Sequence, residues 1–357
     1  MKIGIDGYEA NTTKRVGIGQ YAYQLLVQLE KQDTANSYVI FLPTSPLADL
    51  PLPRDNWRYV IGKPGSLWTI RELPRLISQN REDVFFSPTH YTPWFTSIPR
   101  LISVMDLSYL HYPEMFRFKD LVQLKYMGGL SIAKAKKIFT ISEFSKHEIM
   151  KQYKRRDEDV VVTYPGFNIK QSLNSSKKFA VRKPYILFVG TIQPRKNIER
   201  LIKAYEQLGQ EVDLLIVGKK GWLYESILTT AKKSSRVETI KFLDFVTDEE
   251  LTVLYQNAVC LALPSLYEGF GIPVAEAMHA GCPVVISNTT SLPEVAGKAG
   301  IYVDPLNVND IAAGLTKALQ LSQADRLKLI KMGKEQIEKF NWETCAKKTI
   351  EVLTQSI

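Results

Sequence analysis

The sequence predicts an α/β protein built from two doubly wound parallel sheets, each covered by helices. Short apolar segments alternate with amphipathic helical patterns along most of the chain. These segments are almost continuously apolar, as expected of strands that are buried on both faces of a sheet. With 357 residues, the chain also exceeds the size at which a single hydrophobic core usually stops growing. We therefore expect two Rossmann-like domains.

Six strands are predicted in each half of the chain. In the first half they are KIGID (2–6), YVIFLP (38–43), VFFSP (84–88), LISVMDL (101–107), KIFTIS (137–142) and VVVTYPG (160–166). In the second half they are YILFVG (185–190), DLLIVG (213–218), ETIKFLDF (238–245), CLALPS (260–265), PVVISN (283–288) and GIYVDP (300–305). Amphipathic segments such as YAYQLLVQLEKQ and NIERLIKAYEQL lie between them and predict the covering helices.

A polar segment separates the two halves. Residues 168–184 are rich in Lys and Ser and show no periodicity, which predicts an interdomain linker. We place the first domain at residues 1–170 and the second at 171–340. Two such domains leave a cleft, and ligands of open α/β sheets bind beyond the carboxyl ends of the strands. Functional residues are therefore expected in the turns that follow the strands.

Composition narrows the class of protein. The formal net charge is +9, and its excess lies mostly in the first half, around KAKK (134–137) and KQYKRR (151–156). This favours either a partner that carries phosphate or anionic lipid, or a solvated basic surface without a partner. The start of the chain lacks an apolar leader, and no stretch approaches a membrane span. We expect a cytoplasmic protein whose three cysteines are reduced thiols and form no metal site.

The turn after the strand 185–190 is a candidate anion site. Gly190 ends the strand, and Arg195 with Lys196 immediately precedes a helix that begins near Asn197. Free N–H groups at a helix amino terminus add to the charge of neighbouring cations. Lysine makes a point contact with phosphate, whereas arginine makes a forked one.

The segment EGFGIPVAE (268–276) follows the strand 260–265 and carries two carboxylates. Gly269 and Gly271 allow close approach of backbone N–H groups to a ligand. Pro273 predicts the first residue of a helix, and Glu276 is expected in its first turn or so. A carboxylate can accept two hydroxyl hydrogens, so Glu268 and Glu276 suit a hydroxyl-rich ligand.

Together these segments resemble the family-4 retaining glycosyltransferases of GT-B fold, also known as glycosyl transferases group 1. EGFGIPVAE matches their signature of two glutamates separated by seven residues. The resemblance runs over most of the chain in a consistent order. It includes RVGIGQY (15–21), DLSYLHYPE (106–114), TISEFSKHEI (140–149), GTIQPRKNIERLI (190–202), LPSLYEGFGIP (263–273), SLPEVAG (291–297) and FNWETCAKKTIEV (340–352).

The resemblance implies a division of labour at the donor site. Glu276 would bind the ribose hydroxyls of the nucleotide, while Glu268, Gly269, Phe270 and Gly271 would hold the transferred sugar. Arg195 and Lys196, beside Gly190, would stabilise the charge of the leaving diphosphate in place of a metal ion. Gly17 and Gly19 would let the backbone of the first domain approach the same phosphates.

The first domain would supply the acceptor site. Aromatic residues gather in SPTHYTPWF (87–95), where His90 and Tyr91 suit a sugar ring. Asp106 matches an acidic catalytic position of the family, but Met105 stands where relatives often carry histidine. Asp244 stands where relatives often carry glycine. The closing helix 341–357, capped by Asn341, would pack back on the first domain.

The resemblance further implies a metal-independent, retaining hexosyltransferase without cofactor or nucleic-acid partner. Mannose from GDP-mannose is the leading donor, with UDP- and ADP-sugars as alternatives. The acceptor would be a glycan or lipid-linked oligosaccharide of cell-surface polysaccharide biosynthesis. Residues 115–137 mix apolar and basic residues at helical spacing. They predict either a peripheral contact with the anionic inner face of a membrane or a core-packed helix with a basic outer face.

Other classes remain open at this point. The same fold serves nucleotide-sugar epimerases and glycosyl phosphorylases, although no motif marks a lysine for a pyridoxal cofactor. A non-catalytic nucleotide-sugar or polysaccharide-binding protein would share the fold but would not need Glu268 and Glu276 together with Arg195 and Lys196. A dinucleotide oxidoreductase is disfavoured, because no G-x-G-x-x-G opens a helix after a predicted strand.

Overall fold

The chain divides into two compact units. The structure, a computed structural model, describes residues 1–15, 17–65, 67–167, 184–244 and 246–356. The first unit comprises Met1–His111, Phe118–Gly166 and Phe340–Ile357, and the second comprises Tyr112–Arg117 and Phe167–Lys339. The predicted linker and the predicted boundary after residue 170 lie outside the described residues, apart from Pro184.

The first unit contains a seven-stranded, all-parallel sheet with the order β3-β2-β1-β4-β5-β6-β7. Its strands are β1 (Lys2–Asp6), β2 (Ser37–Leu42), β3 (Trp57–Ile61), β4 (Val84–Ser87), β5 (Arg100–Ser103), β6 (Lys137–Thr140) and β7 (Val160–Val162). Its α-helices are α1 (Ile18–Gln32), α2 (Leu73–Asn80), α3 (Ser108–His111), α4 (Phe118–Gln123), α5 (Gly129–Lys134), α6 (Glu143–Tyr153) and the C-terminal α14 (Trp342–Thr354). π-Helical turns at Trp68–Glu72 and Leu124–Gly128 lead into α2 and α5.

The edge strand β3 is absent from the sequence prediction, which gave six strands in this half of the chain. Trp57 is fully buried, but the residues after it are partly or fully exposed. An edge strand of this kind lacks the continuous apolar run by which the other strands were recognised. Its pairing with β2, from Tyr38 opposite Trp57 to Leu42 opposite Ile61, is nonetheless regular.

The C-terminal helix α14 lies in the first unit and packs on α1. The rings of Tyr21 and Trp342 have centroids 5.9 Å apart. Trp342, Cys345, Ala346 and Leu353 join the main core cluster of this unit. Asn341 caps the helix by accepting a hydrogen bond from the N–H of Thr344 at 2.8 Å. Burial of one apolar face thus attaches the end of the chain to the first sheet.

The second unit contains a six-stranded, all-parallel sheet with the order β10-β9-β8-β11-β12-β13. Its strands are β8 (Tyr185–Val189), β9 (Asp213–Val217), β10 (Ile240–Leu243), β11 (Cys260–Leu263), β12 (Val284–Ser287) and β13 (Gly300–Val303). Its α-helices are α7 (Ile198–Glu206), α8 (Glu225–Lys233), α9 (Asp248–Asn257), α10 (Ile272–His279), α11 (Leu292–Ala296), α12 (Val308–Leu319) and α13 (Gln323–Ile337). A capping box of Thr247 and Glu250 begins α9.

A short segment from the first half of the chain belongs to the second unit. The indole N–H of Trp222 donates to the carbonyl of Met115, and the ring of Phe116 lies 5.8 Å from that of Trp222. Tyr112 packs edge-on against Tyr267 at 6.3 Å. These aromatic contacts explain why Tyr112–Arg117 departs from the predicted boundary.

Two further properties bear on the expectations from composition. All three cysteines, Cys260, Cys282 and Cys345, are buried and form no disulfide. None of the helices in the described ranges has the length and apolarity that crossing a membrane requires.

Candidate functional site

The strand order of the second sheet brings two loops together. The order reverses between β8 and β11, and ligands of doubly wound sheets bind at such a reversal, beyond the carboxyl ends of the strands. The loop after β8 carries Arg195 and Lys196 on a 3-10 turn, Pro194–Lys196. The loop after β11 carries Glu268. The loops are joined by a hydrogen bond of 2.9 Å from the N–H of Leu266 to the carbonyl of Arg195.

Arg195, Lys196 and Glu268 form one ionic cluster. Lys196 Nζ donates to Glu268 Oε1 at 2.6 Å. Arg195 Nη1 lies 3.5 Å from Glu268 Oε2 and also donates to the carbonyl of Tyr267. The sequence placed these residues on two separate turns, and the fold places their charged groups within hydrogen-bonding distance.

The electrostatic balance of this cluster is positive. Glu268 is only 5% exposed, and burial acts to raise the pKa of its carboxyl. The charges of Lys196 and Arg195 outweigh burial and hold that pKa below its usual value. Glu268 is therefore ionised at neutral pH, and the two cations with one anion leave one net positive charge. The cluster can therefore attract an anionic ligand. When no ligand is bound, Glu268 compensates the charge of the buried Lys196.

Two buried side chains fix the backbone around the cluster, and the role of neither is predicted from the sequence. Asn197 adopts a left-handed conformation, and its amide donates to the carbonyls of Pro264 at 2.8 Å and Pro305 at 2.6 Å. The hydroxyl of Ser291 donates to the carbonyls of Glu268 at 2.9 Å and Phe270 at 3.0 Å. Asn197 and Ser291 lie in the segments GTIQPRKN and SLPEVAG, which carry the family resemblance. The sequence does not show, however, which carbonyls their side chains bind.

Glu276 lies at the start of the second turn of α10, close to its predicted place. The helix begins at Ile272 after Gly271, so Pro273 is its second residue and Glu276 its fifth. The hydroxyl of Tyr255 donates to Glu276 Oε2 at 2.9 Å. Removal of this carboxyl from water raises its pKa to about 7, with the Tyr255 hydrogen bond opposing the rise and Asp248 adding to it.

Gly271 is required by the backbone that leads into α10. It has φ of 108°, and a Cβ atom added there would lie 2.6 Å from Leu292 Cδ2. We expect Gly271→Ala to destabilise the second unit by about 1–3 kcal/mol, since both strain and overpacking act on it. The effect is measured as a lower melting temperature in thermal unfolding.

Gly209 provides the matched control in the same unit. It is exposed, and an added Cβ would meet nothing within 4 Å. Gly209→Ala should therefore leave the melting temperature nearly unchanged. Equal melting temperatures for the two variants would contradict the role assigned to Gly271.

The first sheet reverses between β1 and β4, and a cavity of about 330 Å³ lies at the carboxyl ends of these strands. His90 and Tyr91, the predicted acceptor residues, line it. Burial lowers the pKa of His90, while the nearby carboxylate of Asp106 opposes that change. Asp106 Oδ1 also accepts a hydrogen bond of 2.9 Å from the N–H of Ser108. The cavity therefore brings His90 and Tyr91 together, with Asp106 as an electrostatic neighbour of His90.

Gly17 and Gly19 flank Ile18, one of the residues that line this cavity. Gly17 precedes α1 with φ of 51° and open space around its Cα, and Gly19 lies in the first turn of that helix. Asp244 follows β10 and is exposed, while Met105 packs against the core of the first unit. Among the described residues, no group of three or more His, Cys, Asp or Glu side chains is placed to hold a metal ion.

The two parallel sheets, each with a loop cluster at its strand reversal, define the GT-B fold. Thermosynechococcus elongatus sucrose-phosphate synthase has the same fold, with a TM-score of 0.79 over 99% of this chain and 98% of that one at 19% identity. Anabaena HepE, solved in complex with UDP-glucose, gives a TM-score of 0.76 over 99% of this chain and all of that one at 17% identity. The predicted fold class is confirmed.

Sequence comparison identifies the family. Residues 170–336 match the model of the Glycosyl transferases group 1 family. The chain is 31% identical to O-antigen chain mannosyltransferase B of Escherichia coli, over 94% of this chain and 94% of that protein. The protein therefore belongs to the group 1 glycosyltransferases, and the predicted family is confirmed.

Proposed function

We propose that this glycosyltransferase transfers mannose from GDP-mannose, with retention of anomeric configuration and without a metal ion. The acceptor is a glycan or lipid-linked oligosaccharide in cell-surface polysaccharide biosynthesis. The name of the E. coli relative, an O-antigen chain mannosyltransferase, supports both the sugar and the pathway class. HepE, which was solved with UDP-glucose, is only 17% identical to this chain, so its donor does not outweigh that support. UDP- and ADP-sugars are the alternative donors.

The cluster of Arg195, Lys196 and Glu268 carries this proposal. In the transfer step, the bond between the anomeric carbon and the donor phosphate oxygen breaks, and a bond to the acceptor hydroxyl oxygen forms. Negative charge grows on the departing diphosphate, which is the point where fixed cations stabilise the transition state most. Lys196 and Arg195 would supply that positive charge. Lys196 lies next to Gly190, where an added Cβ would be 3.7 Å from Lys196 Cε. The residues that follow Glu268, namely Gly269, Phe270 and Gly271, would hold the sugar beside them.

Retention fits a route in which transfer occurs on one face of the donor sugar. The departing phosphate oxygen itself would take the proton from the acceptor hydroxyl, so proton and charge balance within the substrate pair. Glu268 would remain ionised beside the two cations, whose geometry it fixes. It would also contact the transferred sugar. Glu276 would accept the ribose hydroxyls of the nucleotide.

A ligand screen tests the donor. Because a ligand bound only by the native state raises the melting temperature, GDP, UDP and ADP can be ranked by thermal shift. GDP is expected to give the largest shift, and GDP-mannose is expected to be turned over with a glycan acceptor. A larger shift with UDP or ADP would overturn the choice of base. Binding without hydrolysis or transfer of any nucleotide sugar would contradict the enzymatic function.

We also propose that the helical segment 118–134 of the first unit contacts the anionic inner face of the cytoplasmic membrane. Its exposed apolar residues recur every four positions: Phe118 is 79% exposed, Val122 37%, Tyr126 70% and Leu130 45%. Lys119, Lys125 and Lys134 are exposed on the same segment. An apolar stripe flanked by lysines is the pattern of interfacial helices, which supports membrane contact over packing in the core.

Phe118→Ser/Tyr126→Ser is expected to lower binding to anionic vesicles severalfold, since two of the most exposed apolar side chains are removed. The measurement is flotation with vesicles of phosphatidylglycerol and phosphatidylcholine, at low and high salt, against pure phosphatidylcholine. Leu52→Ser is the control, because Leu52 is 79% exposed in the same unit but outside the segment. Flotation that is insensitive to salt and to the double substitution would remove the membrane contact.

A further inference from the structure

The cavity at the reversal of the first sheet contains chemistry that the predicted acceptor residues do not explain. Besides His90 and Tyr91, it is lined by the carboxylates of Asp6 and Glu9 and by the aromatic side chains of Tyr8 and Trp68. Its volume of about 330 Å³ lies within the range of small-molecule sites and exceeds what one ordered water needs. Aromatic faces together with carboxylate acceptors are suited to a ring that carries hydroxyl groups.

Asp6 is held in a fixed orientation at the base of this cavity. It is the last residue of β1 and is only 4% exposed. Its Oδ1 atom accepts hydrogen bonds from Trp68 Nε1 at 3.0 Å and from the N–H of Tyr8 at 3.1 Å. The hydroxyl of Ser87 is a third hydrogen-bond partner of this carboxylate. A carboxylate has about four acceptor sites, so these bonds still leave capacity for a ligand hydroxyl. Trp68 is itself 5% exposed and packs on Tyr8 with ring centroids 5.8 Å apart.

The charge of the cavity is one-sided. Among the described side chains that line it, Asp6 and Glu9 are the acidic ones and none belongs to lysine or arginine. Burial raises the pKa of Asp6 to about 6, with the Trp68 hydrogen bond opposing the rise and the charge of Glu9 adding to it. Burial also raises the pKa of Glu9. The raised pKa values show that ionising these two carboxylates is already unfavourable here, so a ligand with a further negative charge is disfavoured.

We propose that this cavity binds an uncharged, hydroxyl-bearing sugar ring of the acceptor, and that Asp6 sets this specificity. Asp6 accepts a hydroxyl hydrogen of the ring and repels rings that carry carboxylate or phosphate. Trp68 acts as a positioning residue, because its N–H fixes the carboxylate that meets the ring. The inference rests on the proposed glycosyltransfer to a glycan, and it adds that any phosphate of a lipid-linked acceptor lies outside this cavity.

Binding of simple glycosides tests the proposal without any transfer reaction. Saturation-transfer difference NMR on the full chain, without donor, compares neutral methyl α-D-mannopyranoside with anionic methyl β-D-glucuronide. The wild-type protein is expected to bind the neutral glycoside and to reject the glucuronide. Asp6→Ala should weaken binding of the neutral glycoside on the order of tenfold, the scale for losing a hydrogen bond to a charged group. Asp6→Asn, which removes one of the two charges that line the cavity but keeps an acceptor oxygen, should narrow the difference in binding between the two glycosides.

Three controls separate the causes of a failure. Lys196→Ala, in the other unit, should leave glycoside binding unchanged although it impairs transfer. Trp68→Phe removes the N–H that orients Asp6 but keeps the Asp6 carboxylate and an aromatic ring at this position. It should therefore raise the KM for a glycan acceptor more than it lowers kcat. Melting temperatures report whether each variant is folded.

The outcomes are distinct for the two proposals. Equal binding of both glycosides by the wild type, or of neither, overturns the inference. An unchanged preference for the neutral glycoside in folded Asp6→Asn overturns it as well. If neutral glycosides bind with the expected Asp6 dependence but no nucleotide sugar is turned over, the proposed function fails while the sugar site stands.

Discussion

Replacing Lys196 by alanine is expected to lower turnover by on the order of a hundredfold or more, the scale for removing one preorganised charge contact to the transition state. Lys196 Nζ lies 2.6 Å from Glu268 Oε1, and both side chains are largely buried. Its charge is therefore fixed before substrate arrives and needs little reorganisation during the reaction. Steady-state kinetics with saturating nucleotide sugar and acceptor measure the change in kcat.

The same substitution leaves the buried carboxylate of Glu268 without its nearest cation, which requires a separate control. Breaking one side of a buried ion pair typically destabilises a protein by about 3–5 kcal/mol. The double variant Lys196→Ala/Glu268→Gln removes the uncompensated charge. It should recover most of the melting temperature lost by Lys196→Ala but none of the turnover. A folded Lys196→Ala protein with turnover near that of the wild type would refute the assignment of Lys196.

The opposite environments of Glu268 and Glu276 could not be predicted from the signature that contains them. In the sequence they are equivalent carboxylates eight positions apart. In the structure, Lys196 and Arg195 hold the pKa of Glu268 low against burial, whereas burial dominates at Glu276 and only a hydroxyl partner opposes it. The difference arises from residues 195 and 196 on one side and Tyr255 on the other. Arg195 and Lys196 lie more than 70 positions from Glu268, and Tyr255 on α9 lies 21 positions from Glu276, so only the fold brings these groups together.

Periodicity predicted the strands well because most of them are buried on both faces. The strand Lys2–Asp6 is predicted with its observed bounds, and the other predicted strands overlap the observed ones but mostly end a few residues too late. The edge strand Trp57–Ile61 escaped because half of it faces solvent. Segment Tyr112–Arg117 escaped because its place in the second unit depends on Trp222 and Tyr267, which no local pattern connects to it.

The candidate site was predictable to the level of loops but not of contacts. Loops that follow parallel strands meet at one sheet edge, and this rule put Arg195, Lys196 and Glu268 at the same edge of the second sheet. That their loops are neighbours follows from the observed strand order. Asp6 ends the first predicted strand by the same rule, yet its partner Trp68 lies 62 residues away in a segment without motif. Buried polar side chains show their role only through their hydrogen-bond partners, and those partners are a property of the fold.

Replacing Glu276 by glutamine is expected to weaken donor binding by roughly 10- to 100-fold at pH 8, the scale for hydrogen bonds that involve an ionised group. The carboxylate form can accept both ribose hydroxyls, whereas the amide offers one acceptor oxygen. Because the pKa of Glu276 is about 7, the wild type should lose donor affinity as pH falls from 8 to 6. Fluorescence or calorimetric titration with GDP across this range measures the loss, which Glu276→Gln should abolish.

Stability should change in the opposite direction with pH. The folded-state pKa of about 7 exceeds the ordinary value of 4.5, so the folded protein holds this proton more tightly than the unfolded chain. Its contribution to stability is complete below pH 4.5 and is lost as pH rises through 7. Glu276→Gln keeps the hydrogen bond from Tyr255 and carries no charge. It should therefore match or exceed the wild type in melting temperature at pH 8 while binding the donor more weakly.

Two neighbouring substitutions should move the titration in opposite directions. Tyr255→Phe removes the hydrogen bond that lowers the pKa of Glu276, so donor affinity should fall off at a higher pH. Asp248→Asn removes a charge that raises this pKa, so the fall should occur at a lower pH. Donor affinity that is flat between pH 6 and 8, or midpoints that both variants leave in place, would show that Glu276 does not bind the nucleotide as its ionised form. Glu276 titrates near neutrality, whereas Glu268 stays ionised beside its two cations. Donor affinity should therefore change between pH 6 and 8 while the ion pair of Lys196 with Glu268 stays intact. This pH dependence separates recognition of the nucleotide from stabilisation of the leaving group.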